Sequence, residues 1–128
     1  TMAEDLRLLG EIETRRAAVN ATLKKGGTAD ALKLALRDAP LASTSPDVKA
    51  ANALVVSAAA LAVREGELGA VAHSLDPDEA DVLLKYVYRA LSTPSDKAAA
   101  WLRWHAALVE RAGPGAIMRV ITEVGHTA

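Results

Sequence analysis

The segment DPDEADVLLKYVYRALSTPSDKAAAWLRWH, residues 76–105, contains two successive helix patterns and every Tyr and Trp of the chain. In the first pattern Asp76 precedes Pro77 and stands three residues before Glu79, which is the spacing of a capping box at a helix N-terminus. The helix that follows, residues 78–91, is apolar around most of its circumference, and we expect one line of charged residues to be its only clearly exposed side. That line consists of Asp81, Lys85 and Arg89.

The second pattern predicts a helix that begins with the capping residue Thr93 and with Pro94. Asp96, Arg103 and Glu110 recur every seven residues and form the exposed side of this helix. The opposite arc consists of Ala98, Trp101, Leu102, Trp104, His105, Leu108 and Val109. We interpret the aromatic residues as a hub where the last three helices meet, with a rim available for docking.

Glycine, proline and capping residues divide the remaining chain into further helices, of which Thr28 is expected to cap the second. The predicted helices occupy about residues 3–25, 28–37, 46–64, 67–74 and 78–91, and two more are separated by Gly113-Pro114-Gly115. With about seven helices and short connections, the sequence predicts an all-α fold, either an α-α superhelix or an irregular bundle. Its length predicts a single domain over residues 1–128.

The composition excludes several classes of function. The chain has 128 residues and a net charge of −1, and it lacks the clustered basic residues that nucleic-acid binding requires. It has no Cys, which excludes disulfides and thiolate metal sites. The longest uncharged run, residues 50–63, is too short to be inserted across a membrane, and no secretory signal is visible. We expect that run to form a helix buried on nearly all sides.

Two places contain residue types used in catalysis, but neither has the surroundings that catalysis needs. His105 lies in the apolar arc with no nucleophile at a local pairing distance, so we interpret it as a structural or interface residue with hydrogen-bonded ring nitrogens. His73, Ser74 and Asp76 lie at a helix end and lack the strand–turn–helix context of a nucleophile elbow. The sequence therefore predicts a protein that is not an enzyme and has no catalytic, cofactor-binding or metal-binding residues.

The apolar content is larger than a helical chain of this size requires, since 51% of the residues are hydrophobic. On a soluble chain, surplus apolar surface predicts a permanent protein partner. The alternative is a free-standing helical adaptor that accepts a partner helix in a groove. The two hypotheses differ in stoichiometry, because a permanent subunit stays locked in a complex whereas an adaptor exchanges.

Four stretches of the chain together resemble one family. They are ALKLALRDAPL (31–41), LLKYVYRALSTPSD (83–96), RWH (103–105) and GPGAIMRVIT (113–122). In this order and spacing they are similar to the smallest, fifth subunit of the actin-related protein 2/3 complex, and the resemblance covers residues 31–122. The combination of the stretches is specific, whereas no single one of them would be.

The resemblance implies a superhelical, non-catalytic subunit of an assembly that nucleates branched actin filaments, located in the cytoplasm at the actin cytoskeleton. It implies docking on other subunits, including the β-propeller subunit and a second scaffold subunit, and an N-terminal arm that helps tether an actin-related subunit. The residues that match the family pattern are Lys85, Tyr86, Tyr88, Pro94, Ser95, Asp96, Trp104, His105, Gly115, Arg119 and Val120.

The candidate partner-binding or hub residues are Lys85, Tyr86, Tyr88, Trp101, Trp104, His105 and Arg119. Arg119 is the strongest candidate for a partner contact on physical grounds. A lone charge in an otherwise apolar helix usually has a fixed acceptor.

The chain departs from the family pattern in two places. The family usually carries a longer, acidic N-terminal arm, whereas here thirty residues precede Ala31 and have a helical pattern. We therefore expect residues 1–27 to form an N-terminal helical extension and residues 28–124 to form the family core. The segment before Trp104 is one residue shorter than usual, which rotates the side chains there by about 100°.

Overall fold

The fold is all-α throughout the part of the chain that the structure, a computed structural model, describes. Residues 1–112 are described, and they form six α-helices and no strand. The helices are α1 (Met2–Lys24), α2 (Thr28–Leu36), α3 (Pro46–Leu61), α4 (Leu68–Ser74), α5 (Pro77–Leu91) and α6 (Ala98–Ala112), and a 3₁₀ helix (Glu65–Glu67) precedes α4. These six confirm the first six predicted helices, while the seventh and the corner Gly113-Pro114-Gly115 lie outside the described residues. None of the described helices combines the length and the apolar content needed to cross a membrane.

The chain divides into two compact units, Thr1–Ala62 and Val63–Ala128, and the prediction of a single domain stays a prediction. In the first unit, α1, α2 and α3 each contact the other two. The core of this unit consists of Ile12, Val19, Ala31, Leu32, Ala35, Leu36, Val48, Val55, Val56, Ala59 and Ala60. Because so many of these side chains are small, the helices of this unit pack closely.

Two glycines, Gly26 and Gly27, form the turn between α1 and α2, and α2 begins one residue earlier than the sequence predicted. Gly26 has φ = +82°, in the left-handed region that glycine adopts without strain. The amide of Gly27 donates to the carbonyl of Thr22 at 3.1 Å, which closes the end of α1. Gly27 is the N-cap of α2 and Thr28 is its first residue, so the predicted side-chain cap at Thr28 is wrong.

Helix α3 is buried on one side only, although the sequence predicted burial on nearly all sides. Val48, Val55 and Val56 face the core, whereas Ala50 and Ala58 are exposed and Leu54 is 73% exposed. The prediction failed because alanine is a strong helix former that surfaces tolerate well, so an uncharged run does not require burial.

In the second unit, α6 contacts both α4 and α5. The described core of this unit consists of Val63, Leu68, Val71, Ala72, Leu75, Ala80, Leu83, Leu84, Tyr86, Val87, Trp101, Trp104 and Leu108. Arg111, near the end of α6, donates a hydrogen bond from Nη2 to the carbonyl of Leu75. The residue that follows α4 is thereby attached to the last described turn of α6.

The N-terminus of α5 has the capping box that the sequence predicted. The amide of Glu79 donates to Oδ1 of Asp76 at 2.7 Å, and the amide of Asp76 donates to Oε1 of Glu79 at 2.8 Å. Two backbone donors that would otherwise lack a partner are thus satisfied reciprocally. Pro77 occupies the first position of the helix, as expected.

Replacing Asp76 with alanine is expected to lower the free energy of unfolding by about 1–2 kcal/mol, because the helix loses its cap and the capping box is broken. Urea denaturation followed by far-ultraviolet circular dichroism measures this loss. The control is Asp78→Ala, which removes an exposed carboxylate from the same helical turn and affects only the weaker interaction with the helix dipole. Equal losses in the two variants would contradict the capping role.

Helix α6 begins later than the sequence predicted. Residues 92–97 are all exposed and α6 starts at Ala98, so the predicted start at Thr93 and Pro94 is wrong. Oγ of Ser95 accepts a hydrogen bond from the amide of Lys97 at 2.9 Å, and this local turn leads into the helix. Short hydroxyl side chains compete for backbone groups in this way, which explains why the chain enters the helix after Ser95.

Candidate partner-binding surface

The two tryptophans of α6 belong to the core. Trp101, Trp104 and Leu108 lie at positions i, i+3 and i+7 of the helix, on one face, and all three are buried. Trp104 is only 1% exposed. The candidate hub residues Trp101 and Trp104 are therefore core residues, and their packing holds α6 in the second unit.

Leu102 does not share this face, although the sequence placed it in the apolar arc. It is 57% exposed, because it lies two residues before Trp104 and therefore about 200° around the helix. The buried arc of α6 is thus narrower than the arc predicted from the sequence.

Tyr88 and His105 connect α5 to α6 at the edge of this core. The hydroxyl of Tyr88 and Nε2 of His105 are 3.1 Å apart and hydrogen-bonded. The two rings meet edge to face, with centroids 5.5 Å apart and an interplanar angle of 67°. Both side chains are half-buried. The hydrogen bond expected for the imidazole is therefore present at Nε2, and the pair leaves part of its surface open.

The remaining candidate residues have different surroundings. Tyr86 is buried on α5, whereas Lys85 is half-buried. Asp81 and Arg89 are also half-buried, so the charged line expected to be exposed is partly covered. The sequence could not reveal this, since helical spacing gives the direction of a side chain and not what lies against it. Arg119 lies outside the described residues.

The residue types of a catalytic triad do not form one site. Nδ1 of His73 lies 2.8 Å from the carbonyl of Gly69, Oγ of Ser74 donates to the carbonyl of Val71 at 2.7 Å, and Asp76 caps α5. Each side chain bonds to backbone nearby in the sequence, as the interpretation of this segment as a helix end predicts. Within residues 1–112, no three His, Cys, Asp or Glu side chains are grouped so that they could hold a metal ion.

A buried polar contact in the first unit has no counterpart among the sequence predictions. Asn52 on α3 is 0% exposed, and its Oδ1 accepts a hydrogen bond from Nη2 of Arg15 at 2.7 Å. Nε of Arg15 is buried and has no hydrogen-bond partner. The available signal was a single asparagine inside the uncharged run 50–63, because a polar residue there needs a partner.

Comparison with known proteins gives consistent matches over nearly the whole chain. Residues 3–126 match the model of the family described as ARP2/3 complex 16 kDa subunit (p16-Arc). The match includes α1, so it begins well before residue 31, where the sequence motifs begin.

Individual relatives cover most of the chain as well. It is 31% identical over 119 residues to actin-related protein 2/3 complex subunit 5 of Dictyostelium discoideum, covering 93% of this chain and 86% of that protein. It is 34% identical over 122 residues to subunit 5A of Arabidopsis thaliana, covering 94% of this chain and 90% of that protein. It is 30% identical over 105 residues to subunit 5-C of Xenopus laevis, covering 81% of this chain and 70% of that protein.

Proposed function

The chain belongs to the family of the ARP2/3 complex 16 kDa subunit, and on this premise we propose that it is a structural subunit of that complex. It supports the nucleation of branched actin filaments by binding other subunits. The observation that carries the proposal is the family match over residues 3–126, which spans almost the whole chain.

The proposed role is non-catalytic. Two residue types that a hydrolase would use, His73 and Asp76, are engaged with nearby backbone groups, and the imidazole of His105 is bonded to a phenol. Such contacts stabilise helix ends and hold helices together. These contacts support a chain that works by binding. The location we propose for it, from its family, is the cytoplasm at the actin cytoskeleton.

The partners we propose are the β-propeller subunit and a second scaffold subunit. The half-buried residues Lys85, Tyr88 and His105 supply the docking rim in the second unit, while the buried aromatic residues hold that rim in place. Arg119, outside the described residues, stays a candidate partner contact on its sequence alone. Aromatic side chains that are partly exposed on a rigid support are enriched at protein interfaces, which favours Tyr88 within this rim. An actin-related subunit is a further partner that the family resemblance implies.

The proposal is tested by tagging the chain in its own cells and measuring the mass and composition of the complex that co-purifies. We expect a stoichiometric assembly that contains two actin-related proteins and a β-propeller protein, and that resists exchange with added free chain. A monomer would contradict the proposal. A partner bound at low occupancy and exchanging rapidly would instead favour the free-standing adaptor.

A further inference from the structure

The exposed side of α3 forms an apolar surface in the first unit. Ala50, Leu54 and Ala58 are spaced by four residues and are all exposed, so they follow one line along the helix. No charged residue occurs between positions 50 and 63. Leu54 is a large aliphatic side chain at the centre of this line. The flanking alanines allow another helix to approach closely, because their side chains are small.

A groove lies beside this line, between α1 and α3. It is lined by Arg16, Val19, Asn20, Leu54, Val55 and Ala58, and its volume is about 180 Å³. Val19 and Val55 are buried and form the apolar base, while Leu54 and Ala58 belong to the exposed line. A volume of about 150 Å³ is enough for a benzene-sized apolar group, so the α1–α3 groove accommodates a large apolar side chain.

The α1 side of the groove carries positive charge. Arg16, Asn20 and Lys24 are spaced by four on α1 and therefore share one side of it. Arg16 is paired with Glu13, and its hydrogen bonds and charge lower the pKa of the Glu13 carboxyl below its usual range. Lys24 and Lys25 are exposed, and neither forms an ion pair with a carboxylate among residues 1–112. Lys24 thus places positive charge on this side of α1, one turn beyond the groove residue Asn20, and Lys25 follows it at the C-cap of the helix.

We propose that the α1–α3 groove binds an amphipathic helix of another polypeptide, which inserts a large apolar side chain beside Leu54 and places carboxylates next to Lys24 and Lys25. This inference rests on the proposed function and adds to it a second docking surface, with the chemistry of its partner. A helix fits because the exposed line has helical spacing and because the first unit offers no strand edge for an added strand. Carboxylates fit because Asp and Glu are the side chains of a partner helix that carry negative charge at neutral pH, opposite to the charge of the two lysines.

The test is to co-express the chain with the remaining subunits of the same species and to measure how much of it remains in the assembled complex at increasing salt. We expect Leu54→Glu and Ala58→Arg each to lower this fraction at least about tenfold, since both place a charge in the centre of the interface. The control is Leu102→Glu, at an exposed leucine of the second unit. Retention of Leu54→Glu at the wild-type level, or equal loss of Leu102→Glu, would overturn the inference.

Two further measurements distinguish an effect of Leu54→Glu on folding from an effect on assembly. The isolated Leu54→Glu chain should keep its helical content and its unfolding midpoint, because substitutions at exposed positions hardly change stability. If the wild-type chain itself fails to assemble, the proposed function falls and this inference falls with it. If the wild type assembles and Leu54→Glu does as well, only the inference about the groove is wrong.

The chemistry of the partner is tested in the same complex. A photo-reactive benzoylphenylalanine at position 54 should cross-link to a segment of another subunit that has helical apolar spacing and carboxylates at its edge. The pair of substitutions Lys24→Gln and Lys25→Gln should weaken assembly and reduce its dependence on salt, whereas Lys97→Gln, at an exposed lysine of the second unit, should not. A cross-link to a basic segment or to a second copy of this chain would overturn the assignment.

Discussion

Replacing Trp104 with alanine is expected to lower the free energy of unfolding by about 3–5 kcal/mol. Trp104 is 1% exposed and lies in the second unit, on the face of α6 that also buries Trp101 and Leu108. Removal of the indole loses its transfer free energy and leaves a cavity that neighbouring helices fill only in part. Urea denaturation followed by helical circular dichroism measures the change.

The matched control for this experiment is Leu102→Ala on the same helix. Leu102 is 57% exposed, so its replacement should change the free energy of unfolding by less than about 0.5 kcal/mol. A loss under about 1 kcal/mol for Trp104→Ala would show that the indole does not pack in the core, and Trp104 would then become a candidate for direct contact with a partner.

The second large effect is expected for Asn52→Ala, with a loss of about 2–3 kcal/mol in the free energy of unfolding. The substitution removes the acceptor at 2.7 Å from Nη2 of Arg15. Because Nε of Arg15 already lacks a hydrogen-bond partner, the guanidinium would keep its charge in a partly buried place with little compensation. The same urea titration measures this loss.

A double variant distinguishes a broken contact from a simple cavity at this position. Replacing both partners, in Arg15→Met with Asn52→Leu, should restore part of the stability, because the guanidinium and its acceptor are removed together. A loss in the double variant equal to the sum of the two single losses would show that the Arg15–Asn52 contact contributes nothing specific.

Local sequence signals predicted the helices of this protein, because those signals act over a few residues. Asp76, Pro77 and Glu79 specify the start of α5, and the two glycines specify the turn after α1. The predicted start of α6 was wrong because two residues of the same loop, Thr93 and Ser95, have hydroxyl groups that can accept a backbone hydrogen bond. Only the backbone geometry decides that Ser95 bonds to Lys97.

Tertiary surroundings were predicted less well, because they depend on which helices become neighbours. Helical spacing correctly placed Trp101 and Trp104 in an apolar arc. It did not predict that Leu54 is exposed or that Lys85 is half-buried. Nothing in the sequence paired Asn52 with Arg15, which lies 37 residues earlier. Surfaces that bind partners were the least predictable, because an apolar residue has the same pattern whether its own chain or another chain covers it.

The unequal distribution of aromatic residues has an optical consequence. The four Tyr and Trp residues, at positions 86, 88, 101 and 104, all belong to the unit Val63–Ala128, and the unit Thr1–Ala62 contains none. Intrinsic fluorescence and near-ultraviolet absorbance therefore report on one half of the chain, while the peptide signal of the helices reports on both halves. Coincident transitions by the two probes are what a single cooperative domain requires. Comparing the two signals in the unlabelled protein therefore shows whether its two units unfold together.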